Sequence, residues 1–212
     1  MAQTTLKYRQ IAGGLDGWIP AEQTWTYASA TTITVPSGAA SRYQKGDKIK
    51  LTQTTVKYFY VVGVADTVLT VTGGTDYTVA NAAITDNYFS KILNPQGFPQ
   101  RFAYTPTITA GSGTFTTVSA SGEFTLTGKT VCVAVTITIT TKGTASGAVI
   151  FTIPINISSS SFIFAGRENA ATGKMLQCLY NAADKLSIFD YTGTAMIVDG
   201  YVLRASGTYL IA

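Results

Sequence analysis

Any catalysis by this chain must be built from carboxylates, lysines and hydroxyls, because its 212 residues include no histidine. Imidazole is the usual general base near neutral pH and a frequent zinc ligand, so its absence removes Ser-His-Asp and Cys-His catalysis and most zinc hydrolase sites. Glycoside hydrolysis needs only two acids, provided that their carboxyl groups stand roughly 5 to 9.5 Å apart. The eleven acids are scattered singly over turns and strand ends. Glu123 with Glu168, or Asp190 with Asp199, are pairs that folding could bring together, and no spacing favours either. Asp66, Asp76 and Asp86 recur, but each stands beside a turn, where a solvated acid is the ordinary reading. No catalytic residue is therefore assigned, and the chain is expected not to be an enzyme.

The remaining motifs are weaker. GEFTLTGKT (122–130) resembles a phosphate loop but has five residues between its glycines where the motif has four, and a β pattern follows it instead of a helix. A turn at Gly128-Lys129 is the better reading. Cys132 and Cys178 have no second thiol nearby, so neither a redox pair nor a zinc site can be built locally; no metal or cofactor is expected. Asn156-Ile157-Ser158 fits a glycosylation sequon, which matters only in a secretory compartment.

The formal charge of +4 is too small to argue for nucleic acid. Its placement is uneven: Arg42, Lys45, Lys48, Lys50 and Lys57 stand against Asp47 alone, forming a candidate basic contact patch with Tyr43, Tyr58, Phe59 and Tyr60 beside it. Basic stretches with aromatics can bind single strands, but no recognition helix or RNA-binding signature is present. A solvated strand edge guarded by lysines is the expected alternative. Trp18, Trp25, Tyr27, Tyr77 and Tyr88 could line a sugar groove, or serve as core and interface anchors.

These residues are carried by short β patterns. Residues 1–17 (an arm rich in Gly, with no sustained period) are expected to order only on a partner, and Leu6, Tyr8, Arg9, Ile11, Leu15 and Trp18 are the candidate attachment residues. Residues 18–93 read as a small β-barrel or sandwich, with strands over 24–28, 31–35, 47–53, 55–64 and 67–72. In the third of these, Ile49 and Leu51 alternate with Lys48, Lys50 and Thr52, which predicts one buried and one wet face. NPQGFPQRF (94–102) is a Pro/Gly linker. Residues 103–212 read as a jelly-roll-like antiparallel sandwich, with strands over 113–120, 123–128, 130–141, 148–155, 161–166, 174–181, 185–191 and 201–211. Along 130–141, Val131, Val133, Val135, Ile137 and Ile139 share the core face, and Thr130, Cys132, Ala134, Thr136, Thr138 and Thr140 share the other. Only short pieces near NAAITDNY and ENAAT have helical character. The fold class is all-β.

Charged residues make up 12% of the chain, against about 25% in an average soluble protein. So sparse a charge, with positive mean hydropathy, predicts that a second subunit covers part of the surface. No apolar run approaches the roughly 20 residues needed to span a bilayer, and MAQTTLKYRQ lacks a signal-peptide apolar region, so a soluble chain made in a cytoplasm is expected.

The order WTYAS (25–29), YQKGDKIKLTQ (43–53), KYFYVV (57–62), GGTDYTVANAAI (73–84), YFSK (88–91) and NPQGFP (94–99) resembles a module of minor structural proteins of tailed bacteriophages. The second half, ending in SGTY at Ser206 to Tyr209, is similar to the trimeric jelly-roll heads of phage fibres and decoration proteins. The resemblance implies a homotrimer in the virion, attached through the arm to capsid or tail subunits, made in the host bacterial cytoplasm, without nucleic acid or membrane insertion. The Thr/Ala faces would pack against symmetry mates, while loops 142–147 and 192–200 would be free to meet the host surface. A tail or baseplate protein recognising host-surface carbohydrate is the alternative.

Overall fold

Branched and aromatic side chains alternating with Thr, Ser and Ala turn almost the whole chain into antiparallel strands. The computed structural model describes residues 16–158, 162 and 164–211, and the chain divides after Gln100 into two units. The first holds β1 (Ile19–Pro20), β2 (Thr26–Ser29), β3 (Thr32–Thr34), β4 (Lys48–Thr52), β5 (Val56–Val64), β6 (Val68–Thr72) and β7 (Thr85–Ser90) in one sheet of order β1-β7-β4-β5-β6-β3-β2. A single helical turn, Ala39–Arg42, starts at Gly38, whose φ of 86° suits glycine. The second unit holds β8 (Phe102–Tyr104), β9 (Ile108–Ser112), β10 (Thr117–Thr127), β11 (Thr130–Thr141), β12 (Ser146–Thr152), β13 (Phe164–Glu168), β14 (Met175–Ala182), β15 (Lys185–Asp190) and β16 (Val202–Leu210), in the order β8-β10-β11-β16-β13-β14-β15-β12-β9.

Both sheets end on strands that are consecutive in sequence. In the second unit only Thr105, Pro106 and Thr107 join β8 to β9, yet these strands lie at opposite ends of the sheet. Nine flat strands would hold them about 38 Å apart at ~4.8 Å per step, whereas three linking residues reach only about 14 Å. The sheet must therefore curl on itself, and its concave side becomes the core. The same holds for β1 and β2, which residues 21–25 connect.

The predicted alternation in β11 is the backbone of the second core: Val131, Val133, Val135, Ile137 and Ile139 are all buried. Phe124 and Leu126 of β10 and Leu203 of β16, which register sets opposite Val133, Val131 and Ile137, are buried too, as are Phe164 of β13 and Phe151 of β12. Each such side chain contributes about 1.5 to 3 kcal/mol of transfer free energy. Space for the rings is made by glycine. Gly207, in β16, lies under Phe164, whose ring stacks on Tyr209 with 6.0 Å between centroids; Gly122, in β10, lies under Tyr104. In the first unit Ile33, Ile49, Leu51, Phe59, Val61, Leu69 and Val71 join Trp25, Tyr43 and Phe89 in one cluster.

Several boundaries differ from those expected. The two strands read over 113–120 and 123–128 are one, β10, which runs through Gly122 because the Tyr104 ring covers it. NAAITDNY is not helical: its second half is β7, paired on both sides, with Phe89 opposite Ile19 of β1 and Ile49 of β4. ENAAT is a bend, for a reason given by Glu168 below. Gly128-Lys129 is the two-residue turn between β10 and β11, with the positive φ, 58°, that a tight hairpin needs at its first position.

Candidate interaction surface

Of the expected attachment residues, Leu6, Tyr8, Arg9, Ile11 and Leu15 lie outside the described residues. Trp18 is described, and it is no free anchor: it is 2% exposed, and its indole Nε1 donates to the Gln96 carbonyl at 2.8 Å. With Phe98 it roofs the face of β4 and β5 opposite the core cluster, 6.1 Å from both Phe98 and Tyr58. The Asn94–Pro99 stretch therefore closes over the first unit's sheet.

That roof changes the reading of the basic residues. Cross-strand register sets Lys48 beside Tyr60 and Lys50 between Tyr58 and Tyr88. Lys48 is 4% exposed, with Nζ 5.7 Å from the Tyr60 ring and 5.8 Å from Phe98. Lys50 Nζ stands 4.8 Å from the Trp18 ring and 4.3 Å from Tyr88. Burial lowers the pKa of both ammonium groups, opposed by Asp47 at Lys48 and by Asp16 and Asp86 at Lys50. The predicted wet face is thus covered, and the lysines bind ring faces of their own unit. Arg42 donates to the carbonyls of Pro20 and Ala21 and lies 5.1 Å over Phe89; Lys57 donates to Gln53 Oε1 and the Thr78 carbonyl. Lys45 is half-buried. The five cations do not form one open patch. The aromatic residues are dispersed as well: Trp25 packs edge-on to Tyr43 in the core, Tyr27 and Tyr77 pack against that core, and Tyr88 covers Lys50.

The carboxylates in the second unit are engaged separately. Glu168 is fully buried and accepts hydrogen bonds from the backbone N–H groups of Ala170, Ala171, Thr172, Gly173 and Val202 and from the Thr172 hydroxyl, at 2.5 to 3.3 Å. Burial alone would raise its pKa, but these donors hold it down at about 2. They also wrap residues 169–173 around the carboxylate as a bend. Asp190 accepts from the Thr192 hydroxyl, Lys174 Nζ at 2.9 Å and the N–H groups of Thr192 and Thr194, and lies well below the usual carboxylate range. Glu123 pairs with Arg101, and Asp199 accepts from the Lys142 N–H, joining the two loops expected to be free. Among the described residues no group of three or more His, Cys, Asp or Glu side chains could hold a metal, and no helix is long and apolar enough to cross a membrane.

Set against family models, curated proteins and solved structures, the chain matches none. Its surface must therefore be read from geometry. Two features stand out on the convex side of the nine-stranded sheet. The first is the outward side of β10 and β11, where Ser119, Ser121, Thr125, Cys132, Ala134, Thr136 and Thr138 leave Glu123 as the one charged side chain between Thr117 and Thr127. The second is a row that register draws across β16, β13 and β14 to the turn after β15. Arg204 of β16 is opposite Arg167 of β13, and Arg167 is opposite Met175 of β14. Tyr191 donates its N–H to the Met175 carbonyl just beyond β15. All four side chains are exposed, Met175 at 55% and Tyr191 at 71%. Neither arginine has a carboxylate within salt-bridge distance among the described residues. Sequence reading missed this row because no single segment contains it.

The thiols divide along the same two sides. Cys132 is exposed on β11, and Cys178 is buried on the concave face of β14, where burial pushes its thiol up to about 12. A thiol reagent at pH 8 is expected to label Cys178 only with global unfolding; peptide mapping that found fast label on Cys178 would contradict the packing.

Proposed function

We propose that the chain is a structural component of a bacteriophage particle, a homotrimeric decoration or short head-fibre protein held to capsid or tail subunits through its N-terminal region. The observation that carries this reading is the outward side of β10 and β11. Apart from the Glu123–Arg101 pair its side chains are short and uncharged, so another sheet can approach to about 10 Å while meeting a single ion pair. A chain with few charges and a face of this kind is suited to permanent self-association. The likeness of residues 17–99 to a module of tailed-phage minor structural proteins supports the particle as the setting, and residues 1–17 are the proposed attachment arm.

Light scattering coupled to size-exclusion chromatography tests the reading on the full chain. The expected mass is that of three chains, persisting on dilution, and Ala134→Arg is expected to release folded monomers because it sets a long side chain where only a methyl group stood in the centre of the face. A wild-type monomer at every concentration would sink the proposal. A tail or baseplate role with host-surface carbohydrate as ligand is favoured by a different feature, the Arg204–Arg167–Met175–Tyr191 row.

A further inference from the structure

We infer that this row is a binding site for an acidic glycan, a sugar polymer bearing carboxylate or phosphate groups. The inference rests on the carbohydrate-binding reading, and its groove shares Ala134 and Thr136 with the outward side of β10 and β11, so a subunit seated over that edge would compete with the ligand.

Two arginines directly opposite each other on neighbouring antiparallel strands repel, and such like-charge pairs destabilise a sheet. The other charged groups of this part of the unit do not offset them. Glu123 is tied to Arg101, Asp190 to Lys174, and Glu168, adjacent in sequence to Arg167, points inward to its ring of N–H donors. The two outward guanidinium groups, that of Arg167 leaning over Gly173, therefore set two cations along the row without carboxylate partners among the described residues, and the planar guanidinium fork matches carboxylate and phosphate oxygens bidentately.

The surroundings shape the site for a chain rather than a lone ion. Beside Arg204 runs a shallow groove floored by Ala134, Ala165, Gly166 and Ser206. Three of these small residues form the next outward row of the same sheet, Ala134 opposite Ser206 and Ser206 opposite Ala165. Thr136, opposite Arg204, adds a hydroxyl to the groove. At the far end Tyr191 offers an exposed ring and Met175 an apolar flank, about 10 to 15 Å from Arg204 at the spacing of sheet strands. A sugar ring has an apolar face that stacks on Tyr and an edge that takes hydroxyl hydrogen bonds. Two guanidinium groups with a hydroxyl-bearing groove on one side and a ring platform on the other suit an acidic glycan better than nucleic acid, which takes successive stacking rings.

Affinity electrophoresis of the full-length protein tests this, with polygalacturonate (carboxylate), poly(glycerol phosphate) teichoic acid (phosphodiester), neutral dextran or single-stranded DNA in the gel. The wild type is expected to be retarded by one or both acidic glycans and not by dextran, and the responding polymer tells carboxylate from phosphate. Arg167→Ala/Arg204→Ala is expected to weaken retardation by about tenfold to a hundredfold, as loss of charge-assisted hydrogen bonds implies. Tyr191→Ala should weaken it even at raised salt, which screens the charges but not the ring contact. Both variants should keep the wild-type oligomeric mass, and the double-arginine variant should melt no lower than the wild type, since it relieves a like-charge pair. No retardation by either acidic polymer, equal retardation of the double-arginine variant, or retardation by DNA alone would overturn the inference. A double-arginine variant that loses its oligomeric mass would overturn it too, assigning the arginines to a subunit interface. Retardation by dextran equal to that by the acidic glycans would leave carbohydrate binding standing while removing the acidic ligand.

Discussion

Glu168→Ala is expected to unfold the second unit's end at β13 and β16, with a loss of about 3 kcal/mol or more in urea-monitored stability. The magnitude follows from what the carboxylate leaves behind. Five backbone N–H groups and one hydroxyl now converge on it, and each donor left buried without an acceptor costs on the order of 1 to 3 kcal/mol. Glu168→Gln is expected to be nearly as damaging, because its amide NH2 would face N–H donors where the carboxylate presents only acceptors. A glutamine variant of wild-type stability would refute this account.

The same residue sets a pH dependence. Its folded pKa, about 2, lies below the ordinary value of 4.5. The unfolded chain therefore takes up a proton first as pH falls, and stability contributed by Glu168 is fully present above about pH 4.5 and lost as pH drops towards 2. Asp190, also depressed, adds to the slope in the acid range. Midpoints of urea unfolding between pH 6 and 2 should fall less steeply in Glu168→Gln than in the wild type.

Gly166→Ala is the second large effect, and it concerns backbone rather than charge. A Cβ at this position would stand 2.2 Å from the Arg204 carbonyl oxygen and 3.0 Å from the Ala205 Cα. Neither atom is the end of a flexible side chain, so β13 and β16 must separate where they pair Gly166 with Ala205. Overpacking of this kind costs about 3 kcal/mol, which lowers the melting temperature by roughly 10 °C for a unit of this size. Gly193→Ala provides the contrast: nothing lies within 4 Å of its Cβ, and only its φ of 83° opposes the change, at about 1 kcal/mol. Scanning calorimetry showing equal shifts for the two would contradict the steric argument.

Much of this architecture was legible because its strands advertise themselves. In β11 every second residue from Val131 to Ile139 is aliphatic, and β4 alternates just as plainly. What failed were features that depend on distant cover. Lys48 and Lys50 alternate as a wet face should, but Trp18 and Phe98, some thirty and fifty residues away, close over them. β7 lacks a strong alternation and exists because Phe89 and Tyr88 pair with β4. β8 and β9 are too short for a pattern to show. Glu168 could have been noticed: counting alternately from Phe164 through Gly166 sets it on the buried face, where a lone carboxylate requires a dense ring of donors. The Arg167–Arg204 pair could not, since thirty-seven positions separate its members and only register joins them.

The placement of β1 beside β2 and of β8 beside β9 in the chain also bears on how copies of the protein behave when crowded. An open sheet ends in a row of unpaired N–H and C=O groups, a template on which another chain can grow an extra strand and, repeated, a fibril. Here the terminal strands have only two, four, three and five residues, and each sheet curls its ends towards one another. The template is short wherever it exists. Crowded copies are thus steered away from main-chain polymerisation and left to recognise one another by side chains, so the stoichiometry of any assembly is set by surfaces that can be edited one residue at a time.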